Sequence, residues 1–250
     1  MGGRGGAGHS ISSGRFAGIN TFFQSAYGAR HARTIMQLLQ NAPAYIQQMM
    51  ADYGSSYRAA RTDPDETAAY YSPSDDSVTL GIRNVARGDS IHAPYATVFH
   101  EYGHMTDFHI ARQQGYGQYA SYTATYEGGL LGRTAKDELE GHLKRIRRAE
   151  PLLSRDDAAR RLASEAKSKY SLLDRSDISD IMEGAGIGIG FPLGSGHGLD
   201  YWAYRDNGTE IFAEITSAEV ASPGSLKAIK DYFPKTYKVY QKMVKERNKK

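Results

Sequence analysis

Apolar residues recur at helical spacing along most of the chain. From Ile19 to Tyr53, Phe22, Phe23, Ile35, Leu38, Leu39, Ile46 and Met50 supply apolar faces, and Pro43 suits a helix start, so the pattern predicts a helical layer. Residues 133 to 182 alternate charged and apolar positions at the same period, as in Leu139, Leu143 and Ile146, then Ala159, Leu162 and Ala166. They predict amphipathic helices with solvated charged faces. A further helix is expected from about Glu210 to Val220, after Asn207-Gly-Thr209, and two more, split by Pro234, close the chain. Only Ser77 to Ile82 reads as a strand, after the turn-rich Ser72-Pro-Ser-Asp-Asp76, and no partner strand is evident. A helix from about Pro94 to Gln114 is entered through Gly88-Asp-Ser90 and stopped by Gly115. Gly115 to Gly129, rich in Gly, Tyr, Ser and Thr, reads as a surface loop whose rings could line a cleft.

Two stretches break the periodicity. Glycines crowd residues 1 to 18 and 184 to 198, and the first reads as a flexible lead. The remainder, 19 to 250, reads as one domain with no internal repeat. Its parts are a helical layer (19–75), a motif region (76–130), a helical insert (131–183) and a C-terminal helical region (184–250). The expected class is α+β, mostly helical, with a small β-sheet beside the Pro94–Gln114 helix.

Composition narrows the chemistry. The chain has no cysteine, so a metal site must draw on His, Asp and Glu. A net charge of +3 over 250 residues is nearly balanced, and the basic runs at Lys144 to Arg148 and Lys242 to Lys250 read as solvated helix faces rather than a nucleic-acid footprint. No run of 18 apolar residues and no apolar N-terminal region occurs, so neither a membrane span nor a conventional signal peptide is expected. That points to a cytoplasmic protein; nothing in the pattern fixes an oligomeric state.

Within the motif helix lies His100-Glu-Tyr-Gly-His104. Residues four apart share a helix face, so His100 and His104 can offer their imidazoles to one ion, expected to be a single Zn2+. Glu101, one position on, can take a proton from water beside that ion. Phe99 and Tyr102 supply bulk to bury the helix, and Gly103 lets another element approach closely. The third ligand is expected from a second helix, because the metzincin positions hold Asp107 and Ile110, and His109 faces elsewhere. Glu210 is the candidate, with Glu214 on the same face behind a ligand histidine; the alternative is a solvated acidic face. Asp107 either orients a ligand or faces solvent. Tyr201, Tyr204 and His197 are candidates to donate a hydrogen bond to the oxyanion formed when water attacks a carbonyl. The substrate is expected to be a peptide or protein lying extended along the edge of Ser77 to Ile82.

These segments resemble known families. His100-Glu-Tyr-Gly-His-Met-Thr-Asp107 is similar to the HEFGHxxD-type helix, and Glu210-Ile-Phe-Ala-Glu214 to the ExFAE helix, of gluzincin metallopeptidases of the group that includes anthrax lethal factor and the Pro-Pro endopeptidases. The resemblance implies a zincin-like fold, zinc endopeptidase activity, Glu210 as third ligand and an assisting tyrosine ahead of it. A second resemblance, through Asp180-Ile-Met-Glu-Gly184, Gly196-His-Gly-Leu-Asp-Tyr-Trp202, Glu210 to Glu214 and Tyr232-Phe-Pro234, is to phage minor-head, or head-morphogenesis, proteins. It implies a phage or mobile-element origin, and with it a virion-associated alternative to the cytoplasm. It also leaves an alternative, a structural or morphogenesis protein whose zinc site is structural or inactive.

Overall fold

A computed structural model describes residues 14, 16–186, 193, 196, 197, 199–202 and 207–248. Helix α1 (Ala17–Asn41) begins inside the stretch expected to be a flexible lead. The reason is apolar: Phe16, Ile19 and Phe23 form one buried stripe, which draws the chain into the core ahead of residue 19. Gly28, at φ 81°, kinks α1 by leaving the helical region, a conformation that suits glycine. Helix α2 (Ala44–Tyr53) follows Pro43 and buries Ile46, Met49 and Met50.

The strand expected alone has a partner. Strands β1 (Tyr70–Ser72) and β2 (Ser77–Thr79) pair antiparallel, with Tyr71 opposite Val78. The turn between them places Asp76 at φ 51°, a left-handed conformation that Asp tolerates better than most residues. β2 is shorter than its apolar run because Gly81 caps α3 (Ile82–Arg87). On its other side, Val78 donates its N–H to Arg58 O (3.0 Å) and accepts from Ala60 N (2.9 Å).

Helix α4 (Ala96–Gln113) carries the motif and starts two residues after Pro94, because Tyr95 is left-handed at φ 64°. The expected loop from Gly115 contains a short helix, α5 (Tyr122–Thr125), capped by the Ser121 hydroxyl. The amphipathic segment resolves into α6 (Leu130–Ala149), α7 (Arg155–Lys169) and α8 (Leu172–Ala185), the last two N-capped by Ser154 and Ser171. After α9 (Leu199–Trp202) come α10 (Asn207–Ala221), α11 (Pro223–Tyr232) and α12 (Pro234–Glu246), with Pro at the first helical position of the last two. Among the described residues the fold is therefore mostly helical with one small antiparallel sheet. No described helix is long and apolar enough to cross a membrane.

α10 is the centre of the molecule. Every residue from Glu210 to Val220 is buried, so this helix is covered on all sides. Its main contact is α4. A Cβ at Gly103 would lie 3.1 Å from the Ala213 Cα, so the bare glycine lets the two helices approach. The Ser217 hydroxyl locks the crossing by donating to Ala96 O at 2.9 Å. Behind α4, Tyr102 is fully buried among Phe22, Phe23, Tyr27 and Tyr57, and its hydroxyl bonds that of Tyr27 at 2.6 Å. At the start of α10, Asn207 donates toward Gly184 O (3.3 Å) and Gly132 O (3.5 Å), tying α8 and α6 to the helix that carries Glu210.

Candidate metal centre

The α4–α10 crossing brings three donor atoms to one point. His100 Nε2 and His104 Nε2 lie 3.1 Å apart, and Glu210 Oε2 lies 3.5 Å from the first and 3.2 Å from the second. Donors each about 2.05 Å from a tetrahedrally bound zinc stand about 3.3 Å from one another. The observed triangle has that size. Glu210 Oε2 is buried and has no hydrogen-bond partner, an unusual state for a carboxylate oxygen and one that a cation would relieve. The group His100, His104 and Glu210 can therefore hold a metal ion.

Surrounding groups fix the orientation of each donor. Glu214, one turn after Glu210 on α10, places Oε1 3.5 Å from His100 Nδ1, which favours the tautomer that aims the bare Nε2 at the site. Tyr201 donates its hydroxyl to the other oxygen of Glu210, leaving Oε2 for the ion. Burial disfavours the Glu210 carboxylate, but the charges of His104 and His100 hold its pKa well below the usual carboxylate range. Burial also works against a charged His100, which Glu214 and Glu210 outweigh, raising its pKa well above the histidine norm.

Glu101 is buried to 6% exposure yet lines two adjoining hollows of the cleft. One hollow runs past His104, Phe108, Tyr201 and the strand residues Tyr70 and Tyr71; the other runs toward α8. His197 borders both. Its Nδ1 bonds Asp180 Oδ1 at 2.9 Å, and its ring stacks on Tyr201 with centroids 4.0 Å apart. Burial disfavours a charged His197, but the Asp180 hydrogen bond and charge prevail and its pKa is raised.

Comparison with protein-family models, with curated proteins and with solved structures gives no match.

The described residues thus unite His100, Glu101, His104, Glu210, Glu214, Tyr201 and His197 around one cleft. Tyr204 lies outside the described residues. Asp107 neither faces solvent nor is explained by its helix face alone: it is fully buried and accepts from Thr123 N (2.9 Å) and Thr123 Oγ1 (2.8 Å), fastening α5 to α4. The edge expected to receive a peptide is also different. Val78 of β2 is already bonded to residues 58 and 60, so the outer edge is β1. His109 faces away, bonded to Asp76 Oδ1 (2.8 Å) and Ser56 Oγ (3.0 Å). Sequence reasoning missed Asp177 and Asp180 on α8. Their spacing of three put both on one helix face, the only signal available for them.

Proposed function

We propose that the protein is a zinc-dependent endopeptidase, gluzincin-like in its ligand set and zincin-like in fold. The observation that carries this reading is the donor triangle of His100, His104 and Glu210 with Glu101 beside it in an open cleft. The donor set suits zinc: two imidazoles and one carboxylate leave a fourth tetrahedral position open. The hairpin beside α4 and the crossing of α10 support the zincin-like arrangement.

When bound, zinc supplies Lewis acidity that polarises a peptide carbonyl and acidifies water. Glu101 removes the water proton as the oxygen attacks the carbonyl carbon, and then delivers it to the departing amine as the C–N bond breaks. His197, kept protonated by Asp180, donates from its second ring nitrogen to the developing oxyanion. Tyr201 holds Glu210 in register and walls the cleft. The peptide lies along β1. Because Val78 spends its N–H and C=O on the far side, the Tyr71–Val78 pair is the non-hydrogen-bonded kind, and Tyr71 directs its own N–H and C=O outward for a substrate strand.

The test is metal analysis of the purified protein alongside cleavage of a denatured-protein or peptide library. One zinc per chain is expected, with cleavage abolished by a chelator and restored by zinc. Glu101→Gln should keep the zinc and lose cleavage by about 10²–10⁴-fold. Stoichiometric zinc without Glu101-dependent cleavage of any library would replace the peptidase reading with a structural zinc site.

A further inference from the structure

Trp202, the chain's only tryptophan, stands where two side chains of the cleft meet. It is 2% exposed, and the stacked rings of His197 and Tyr201 both meet it nearly at right angles, with centroids 6.0 and 5.2 Å away. Edge-to-face packing of this kind fixes where a ring sits. The indole is therefore the support on which Tyr201 reaches Glu210 and His197 borders both hollows.

What holds the indole is α8. A Cβ at Gly184 would lie 2.8 Å from Trp202 Cζ3 and 3.0 Å from Asn207 Cβ, so the bare glycine gives the ring its seat beside the start of α10. One residue earlier, Glu183 is 7% exposed, and its Oε2 accepts from Trp202 Nε1 at 3.4 Å. The same carboxylate lies against the backbone at Gly196, where a Cβ would come 2.5 Å from Oε2 and where φ is 135°, a conformation suited to glycine. Asp180, one turn before Glu183, accepts from His197 N at 3.1 Å and bonds its Nδ1 at 2.9 Å. Burying a carboxylate is costly, and Glu183 is neither a donor of the metal triangle nor a wall of either hollow.

We propose that Glu183 is a positioning residue of the hydrolysis: by clasping the Trp202 indole and the backbone at Gly196 together, it sets His197 to reach the oxyanion and Tyr201 to hold Glu210. The inference rests on the peptidase reading for its effect on turnover. Its effect on Glu210 needs no turnover, because Tyr201 donates to that carboxylate whether or not a peptide is cut. At 3.4 Å the indole bond is long, so it contributes aim more than strength. Aim matters to the reaction, where a misplacement of about 1 Å can cost about 10²-fold in rate.

The experiment uses the zinc-loaded full chain, a peptide that it cleaves, and the emission of Trp202, which reads the indole directly. Glu183→Leu keeps the bulk and deletes both oxygens, whereas Glu183→Gln keeps the shape and an acceptor. In Glu183→Leu, kcat should fall about 10–100-fold with KM held within about threefold, zinc affinity should fall about tenfold, and the emission should shift. Glu183→Gln should restore all of these. Trp202→Phe removes the N–H from the other side and leaves α8 intact; it should lose kcat to the same extent, and the double variant should be no worse than either single one. Should Glu183→Leu not fold, Trp202→Phe carries the test alone, and unchanged kcat there overturns the proposal. So does unchanged kcat in Glu183→Leu, an equal loss in Glu183→Gln, or losses that add in the double variant. If the unsubstituted protein cuts no peptide, the peptidase reading fails, and zinc affinity and emission decide the clasp. Changed in Glu183→Leu and restored in Glu183→Gln, they uphold it as the device that holds Glu210; unchanged, they overturn it as well.

Discussion

Glu210 has two oxygens in two different states, one receiving the Tyr201 hydroxyl and one buried beside the two histidine nitrogens with no hydrogen bond. Removing the ligand and removing its neighbours should therefore have separable effects. Glu210→Ala deletes a donor and should reduce zinc affinity by well over 100-fold in a competition assay with a chromophoric chelator. Glu214→Gln keeps the ligands but weakens the hold on His100 Nδ1, and about 10–100-fold is expected for a group acting through a ligand. Tyr201→Phe belongs with Glu214→Gln, since it frees an oxygen of Glu210 without deleting it. Equal zinc affinity in Glu210→Ala and the unsubstituted protein would remove Glu210 from the metal site. At this scale much of the centre was legible, because the i, i+4 spacing of His100 and His104, and of Glu210 and Glu214, dictates which side chains share a face. Asp177 was not, since an acidic residue on an amphipathic helix looks the same whether it meets solvent or a closed pocket.

Between elements, the decisive contact is Gly103 against Ala213. Gly103→Val would drive branched atoms into the α10 backbone, and overpacking of this kind costs about 1–3 kcal/mol. For a chain of this size that is a fall of roughly 2–12 °C in melting temperature. The substitution should also lower zinc affinity, because α4 and α10 each supply ligands; an unchanged melting temperature and zinc affinity would show that the crossing tolerates separation.

A second joint, Asp76–His109, ties the hairpin to α4 and carries a pH signature. Burial lowers the His109 pKa below its ordinary 6.5 despite Asp76, so the unfolded chain binds the proton more readily and stability falls as pH drops from about 6.5. Burial opposes a charged Asp76, but the His109 and Arg112 bonds prevail and lower its pKa. Its contribution is present above the usual carboxylate value and is lost at more acidic pH. Thermal melts of wild type and His109→Gln between pH 5 and 7.5 should diverge less as pH falls, the variant having shed the His109 penalty. Parallel curves would show that the joint does not titrate. The hairpin itself was half legible: β2 has the apolar alternation of a strand, whereas β1 is a short tyrosine pair whose pairing is set by the turn at Asp76.

Across the whole molecule, helix positions followed from apolar periodicity because nearly every helix buries one stripe, from Ile19 and Phe23 in α1 to Tyr240 and Val244 in α12. Periodicity could not say which helix would be central. α10 carries three glutamates and reads as amphipathic, yet it is buried on every side because those carboxylates meet histidines and tyrosines from elsewhere in the chain: Glu210 and Glu214 at the metal centre, and Glu219 at Tyr45 and Tyr237. Partners distant in sequence leave no local mark. A bound metal should stabilise the folded state by about 4 kcal/mol at a thousandfold excess over its dissociation constant. Calorimetric scans with zinc and with chelator should separate accordingly, and coincident scans would exclude an ion in the core.

The split of the donor triangle between α4 and α10 also orders events in time. More than a hundred residues separate His104 from Glu210. At about 5–20 residues per second, a ribosome exposes the two histidines roughly 5–20 seconds before the glutamate is even made. The growing chain therefore holds two of the three donors, and the triangle is complete only when the C-terminal helices close over α4. Whatever the triangle binds, it can bind tightly only after α10 has been made.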